Sequence, residues 1–132
     1  MADMDQGAPA SIVKTIVLRI PRGRAASYGT VGRVAVALGC PIGGARTVAW
    51  ILASLKGHEA TPWHRVVGAG GVILLPDRRG ALQRSRLRSE GVRFRTGTIE
   101  PSCLIDEFGL LEEIRPAGER KPRRSLKPSA AR

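Results

Sequence analysis

The sequence predicts a mostly α-helical fold with a small β-hairpin, built around a helix-turn-helix. Apolar residues recur at helical spacing from Pro9 to Ile20, and a glycine-containing turn separates two further short apolar stripes. The β-rich stretches "RVV" and "GVILL" flank "GAGG", which indicates a hairpin. The 132 residues suffice for one modest core. We therefore expect one domain over residues 9–115, a frayed lead over 1–8 and a disordered basic tail over 116–132.

Three helices are expected before the hairpin. The first should end at Pro21, which cannot continue a helix. Thr30 is expected to cap the second helix, which Gly39 should stop. The third helix should run from about Gly43 to Leu55 and pack through its apolar residues. The second and third helices together form the predicted helix-turn-helix.

Beyond the hairpin, residues 79–90 predict an arginine-rich helix closed by Gly91. The stretch "VRFRTGTIEP" is expected to be extended, and "LIDEFGLLEEI" should pack back onto the domain through its apolar residues. An arginine run of this kind is usually a solvated face. Beside a DNA-facing helix it would instead contact phosphates.

The charge balance points to a polyanionic partner. Lys and Arg number 22 against 11 acidic residues, giving a formal charge of +11 and a pI near 11.3. The tail from Pro116 holds six basic residues and one acidic residue, so residues 1–115 keep +6. The predicted domain is therefore basic in its own right, and nucleic acid is the first partner to consider.

Other classes of site are disfavoured. Cys40 and Cys103 lie far apart with no CxxC motif, which argues against a zinc site or a disulfide framework and leaves their role open. No segment reaches the roughly 20 apolar residues of a membrane span, and the acidic start does not suit a signal peptide. We expect a cytoplasmic, nucleoid-associated monomer without metal or cofactor.

The start of the third helix is unusual. Gly43, Gly44 and Ala45 are small, and Arg46 is the only charge before Lys56. One interpretation is a solvated arginine on a glycine-rich helix end. The other is a helix that approaches another surface closely and extends Arg46 into it.

Four stretches, "IPRGRAASYGTVGRVA", "GGARTVAWIL", "PWHRVV" and "LRSEG", together resemble the DNA-binding and active-site domain of the O6-alkylguanine-DNA alkyltransferases. The resemblance covers roughly residues 10–92 and implies a winged helix-turn-helix-like fold of the alkyltransferase C-terminal type. In those enzymes a cysteine in Pro-Cys-His-Arg-Val accepts the alkyl group, whereas Trp63 stands at that position here. That replacement is the mark of the alkyltransferase-like proteins.

The chemistry agrees with this interpretation. Dealkylation by displacement needs a soft nucleophile, which a thiolate supplies, and an indole has only an N–H donor. We therefore expect no catalytic residue and no alkyl transfer. Trp63 would instead offer an aromatic wall to a flipped base; the alternative is that it only fills the space of a lost reactive site.

The resemblance also implies roles for other residues. Tyr28 matches the tyrosine that helps rotate the target nucleotide, and Arg46 matches the arginine that takes the place of the extruded base. Gly43, Gly44, Ala45 and Thr47 would lie against the DNA beside Arg46.

Around Trp63, the resemblance implies that His64, Val66 and Glu90 complete the lesion pocket. In the enzyme the histidine and glutamate activate the thiol, so His64 and Glu90 would here keep only the pocket's shape. Arg65 resembles a structural arginine that braces the motif.

The leading hypothesis is a non-enzymatic sensor that binds O6-alkylguanine in duplex DNA by nucleotide flipping through the minor groove and recruits nucleotide excision repair proteins. The alternative is an architectural or regulatory helix-turn-helix protein without lesion recognition. An enzyme with residual alkyl transfer is a third class. The sequence does not define the preferred adduct or the repair partner.

Overall fold

The structure, a computed structural model, describes the backbone of residues 2–54 and 61–115, and the side chains from residue 9 onward in those ranges. The predicted tail and Leu55 lie outside them. The fold is mostly helical with little sheet and a helix-turn-helix, as predicted. The elements are α1 Ala2–Leu18, β1 Ala26–Ser27, α2 Tyr28–Ala37, α3 Ala45–Ser54, β2 Val66–Val67, α4 Asp77–Ser89, β3 Phe94–Arg95, β4 Thr98–Ile99 and α5 Glu107–Ile114.

Helix α1 begins earlier than the sequence predicts. The backbone is helical from Ala2, whereas the frayed lead was expected over residues 1–8, and Pro9 lies inside the helix. The apolar stripe behaves as expected, and its buried members are Val13, Ile16, Val17 and Ile20.

Helix α2 is capped by a different residue than predicted. Ser27 is the N-cap, and its hydroxyl accepts a hydrogen bond from the backbone N–H of Thr30. The expectation that Thr30 caps the helix was therefore wrong. Thr30 is the third residue of the helix, and its backbone N–H is the group that the cap binds. Gly39 ends α2 as expected, with a φ of +91° that a residue with a side chain rarely adopts.

Helix α3 begins two residues later than predicted. Gly43 has a φ of +89° and cannot belong to the helix, while the carbonyl of Gly44 accepts the first helical hydrogen bonds from Thr47 and Val48. A Cβ on Gly43 would also lie 2.7 Å from Oγ1 of Thr47, so only glycine fits the turn. The helix packs on α2 through Val48, Ile51 and Leu52, which are buried.

The hairpin lies elsewhere than predicted. Strand β2 pairs in parallel with β1, joining Val66 to Ala26 and Val67 to Ser27. The "GVILL" stretch forms no strand, so the expected hairpin over "RVV" and "GVILL" was wrong. The antiparallel hairpin is β3–β4, within the stretch expected to be extended. Pairing of β2 with a distant strand competes with a local hairpin, and periodicity does not reveal such a distant partner.

The remaining elements close the domain. Gly91, with a φ of +94°, follows α4 as predicted. Helix α5 packs on α2 through the buried Leu110, which confirms that its stretch packs back. Most core residues of α1, α2 and α3 form one apolar cluster, and Leu87, Val92 and Ile99 belong to a second one around the C-terminal end of α4.

Candidate nucleic-acid interface

An open cleft lies where α2, α3 and α4 meet the "PWHRVV" segment. It holds about 370 Å³ of empty space, including solvent at its mouth. Tyr28 and Trp63, far apart in the sequence, both face it, because the parallel pairing of β1 with β2 brings their segments together. The lining residues are Tyr28, Ala49, Leu52, Ala53, Trp63, Leu75 and Arg79.

Tyr28 is the first residue of α2 and follows the Ser27 cap directly, so the cap fixes its position. Its ring is half-buried against the main core, and burial raises the pKa of its hydroxyl while the nearby charge of Arg79 lowers it in part. The phenol therefore stays protonated near neutral pH and can donate a hydrogen bond at the edge of the cleft.

Trp63 opens the short 3-10 turn Trp63–Arg65 and is half-buried. The guanidinium carbon of Arg86, from α4, lies 5.5 Å from the centroid of the indole, which is cation–π range. The ring of His64 stands at 88° to the indole, with centroids 6.2 Å apart. The indole thus contacts His64 and Arg86 and also lines the cleft.

A buried carboxylate braces this turn from below. Glu90 accepts hydrogen bonds from Nε and Nη2 of Arg65 at 2.9 and 2.8 Å, and Nη1 of Arg65 donates to the carbonyl of Ile20 at 2.8 Å. The side chain of Glu90 is only 7% exposed. Burial alone would raise the pKa of Glu90, but the hydrogen bonds from Arg65 and His64 lower it to about 2. Glu90 therefore carries a full negative charge at neutral pH.

His64 completes the brace. Its Nε2 lies 2.9 Å from Oε2 of Glu90. Burial lowers the pKa of His64, partly offset by Glu90, so the ring is neutral near pH 7. Because Glu90 is ionised, Nε2 must carry the proton and donate it, which leaves Nδ1 as an acceptor with no partner among the described residues. We call Glu90, Arg65 and His64 the Glu90 brace.

The structure separates the predicted site residues into groups. It brings Tyr28 and Trp63 to the cleft and places His64, Arg65 and Glu90 beneath Trp63. The other predicted residues lie apart from the cleft lining: Val66 is fully buried in the main core, Gly43, Gly44, Ala45 and Arg46 are exposed at the start of α3, and Thr47 is half-buried there.

Basic side chains surround the cleft on α4. Arg78 and Arg79 are exposed on its first turn, and neither forms an ion pair within the described ranges. Arg86 lies two turns further on, over Trp63. This edge is therefore positively charged and suits contact with phosphates.

Two contributing residues were not predicted from the sequence. Gln83 is buried, and its amide donates to the carbonyls of His64 and Val66 at 3.1 and 2.8 Å, which fixes the 3-10 turn against α4. A polar residue between Gly80 and Leu87, on the buried stripe of α4, was an available signal. Arg86 was noted only as part of the arginine run.

Both cysteines lie away from the cleft. Cys40 is half-buried in the turn after α2, Cys103 is buried in the second core cluster, and neither lines the cleft. Within residues 2–54 and 61–115 no group of three His, Cys, Asp or Glu is placed to hold a metal ion. No helix in the same ranges is long and apolar enough to cross a membrane.

Comparison with known proteins gives a consistent result. A family model described as the DNA-binding domain of 6-O-methylguanine DNA methyltransferase matches residues 10–92. A crystal structure of S. pombe Atl1 with damaged DNA containing O6-carboxymethylguanine is similar at 30% identity, covering 78% of this chain and 97% of that one, with a TM-score of 0.59. S. pombe ATL in complex with DNA matches at 27% identity, 75% and 95% coverage and a TM-score of 0.59. No curated protein matches.

Proposed function

The chain belongs to the O6-alkylguanine-DNA alkyltransferase family as an alkyltransferase-like protein, and from this premise we propose that it is a non-enzymatic sensor of O6-alkylguanine in duplex DNA. One observation carries the proposal: Trp63, at the position of the family's reactive cysteine, lines a cleft that Tyr28 also lines. The similar S. pombe Atl1 was crystallised with DNA containing an alkylated guanine, which supports the same ligand class here.

The cleft would receive the lesion after it leaves the base stack. Flipping a nucleotide costs roughly a few kcal/mol, and less for a base that pairs badly. Tyr28 would help to rotate the nucleotide. Arg46, exposed at the start of α3, would fill the space that the base leaves. An alkylated guanine would then lie against the indole of Trp63, where base–aromatic stacking contributes roughly 1–3 kcal/mol.

The Glu90 brace would hold this wall rather than activate a nucleophile. The hydrogen-bonded carboxylate keeps the backbone of the Trp63–Arg65 turn in place, and Arg86 fixes the indole above it. No thiol lines the cleft, and a thiolate is the soft nucleophile that dealkylation by displacement uses. The proposal therefore excludes transfer, and radiolabelled methyl from an O6-methylguanine duplex should not appear on the protein.

A sensor that does not transfer the alkyl group needs a partner that removes the lesion. We assign this step to nucleotide excision repair proteins, on the family resemblance, and place the protein in the cytoplasm with the nucleoid. The expected monomeric state also belongs to the proposal. An immobilised complex with an alkylated duplex should retain repair proteins from a cell extract, while the protein on an undamaged duplex should not.

Binding to matched duplexes tests the central claim. An O6-methylguanine duplex and its unmodified counterpart should be titrated at equal salt, because phosphate contacts alone give affinities that depend steeply on salt. The sensor should prefer the modified duplex at every salt concentration. Equal affinities would favour the alternative, an architectural helix-turn-helix protein that uses α3 and the basic residues of α4 without reading the lesion.

A further inference from the structure

Helix α3 exposes a second tryptophan that the lesion cleft does not use. Trp50 is 70% exposed, although it lies between Ala49, which lines the cleft, and Ile51, which is buried. Tryptophan carries a large apolar surface and is highly buried on average in folded proteins. An indole so exposed in the middle of a helix is available to a binding partner.

The position of Trp50 on α3 shows which face of the helix a partner would contact. Trp50 follows Arg46 by four residues, so their side chains lie on the same face one turn apart. The opposite face, with Val48, Ile51 and Leu52, packs into the core. We call the outward face formed by Arg46 and Trp50 the α3 crest.

The α3 crest is continuous with the cleft. Ala49 and Ala53 lie on the flank of α3 next to the crest and line the cleft beside Trp63. A duplex that delivers a nucleotide into the cleft must therefore pass over the crest. Helix α3 has no acidic residue, and Arg46 is its only charge, so the crest favours a polyanion over an acidic protein surface.

We infer that Trp50 is a second aromatic DNA contact, which packs its indole against the sugars that wall the groove beside the flipped nucleotide. The inference rests on the proposed function for the orientation of the duplex. Because undamaged DNA has the same sugars, Trp50 contributes affinity without lesion preference. Apolar side chains are a common means of holding the minor groove.

Substitution of Trp50 tests this contact. Trp50→Ala should weaken binding to an alkylated and an undamaged duplex by the same factor, about tenfold, as expected for loss of one large apolar contact with the sugars. The slope of affinity against salt should not change, because no charge is removed. Trp50→Phe should retain most of the affinity. Thermal unfolding of Trp50→Ala should match the parent chain, since the ring is exposed.

Phe108 provides the matched control. It is an equally exposed aromatic residue at 74%, but it lies on α5, so Phe108→Ala should leave DNA affinity unchanged. A second measurement uses fluorescence. The chain has two tryptophans, so Trp63→Phe leaves Trp50 as the sole indole, and its emission should change on titration with an undamaged duplex.

The outcomes separate this inference from the proposed function. Unchanged affinity of Trp50→Ala for both duplexes would overturn the contact and leave the crest to a protein partner. Weakening only on the alkylated duplex would equally overturn it, because Trp50 would then act on the lesion. If the parent chain shows no lesion preference but Trp50→Ala still weakens binding, the contact stands and the sensor proposal fails.

Discussion

The Glu90 brace and the α3 crest differ in how far their polar and aromatic side chains are buried and paired within the domain. In the brace, a carboxylate that is 7% exposed receives hydrogen bonds from Arg65 and His64. On the crest, Arg46 and Trp50 are exposed, and their side chains form no hydrogen bond or ion pair with the residues that the structure describes. The charge of Glu90 is thus paired within the chain, whereas the side chains of the crest face solvent.

This difference separates stability from recognition. A buried, hydrogen-bonded ion pair contributes little net free energy, but breaking it leaves an uncompensated charge. Substitutions in the brace should therefore act on folding first. Substitutions on the crest and at the cleft should leave folding intact and act on DNA binding. The following changes test that division.

The largest effect is expected from Arg65. Arg65→Ala leaves Glu90 charged and buried and also frees the carbonyl of Ile20, so the free energy of unfolding should fall by about 3–5 kcal/mol. Urea denaturation measures this. The control is Glu107→Gln, which breaks the exposed ion pair with Arg33 and should shift the midpoint far less. Equal shifts would mean that the brace contributes no more to stability than an exposed ion pair does.

Trp63→Ala should act on binding instead. Loss of the stacking wall should weaken affinity for an O6-methylguanine duplex by about tenfold while affinity for the unmodified duplex stays nearly constant. Fluorescence anisotropy with labelled duplexes measures both. Trp63→Phe keeps an aromatic wall and should retain most of the preference. An unchanged affinity of Trp63→Ala would support the alternative in which the indole only fills space.

Arg46→Ala should reduce lesion preference by about fivefold, because its planar cation can no longer replace part of the lost stacking. General affinity should fall less. Arg78→Ala, an exposed arginine of α4, is the matched phosphate-contact control and should weaken both duplexes equally. If the two variants behave alike, Arg46 is only another phosphate contact.

The smallest effect is a pH dependence of folding from His64. Burial lowers its pKa in the folded chain below the ordinary value of 6.5, so the unfolded chain binds the proton more readily. Stability from this residue is present above pH 6.5 and decreases as the pH falls below it. Urea midpoints at pH 7.5 and 5.5 should differ in the parent chain. In His64→Gln the difference should be smaller.

Local signals were sufficient for much of the fold. The apolar stripe of α1 and the turn between α2 and α3 follow from helical spacing and from glycine, and both are present. The resemblance brought Tyr28, Trp63 and Glu90 into one proposed site, and the chain does bring them into one region. Their individual roles stay predictions.

The errors have a common physical cause. The "RVV" stretch was assigned to a hairpin because its true partner, Ala26–Ser27, lies far away in the sequence. The cation–π contact of Arg86 with Trp63 likewise depends on how α4 packs against the Trp63–Arg65 turn. The spacing of residues along the sequence does not define that packing. Ser27 and Thr30 both carry a hydroxyl that can cap a helix, so the sequence alone does not show which of them does.

The parallel pairing of β1 with β2 has a consequence for the assembly of the domain. Ser27 precedes Tyr28 directly, and Val66 follows the Trp63–Arg65 turn. The two-residue ladder of β1 with β2 therefore joins the two segments that bring Tyr28 and Trp63 to the cleft. Forming that ladder closes a long stretch of chain, which costs conformational entropy before Tyr28 and Trp63 can line the same cleft. Because the intervening chain contains α2 and α3, whose apolar residues lie in the main core, the ladder and the packing of the helix-turn-helix must form together.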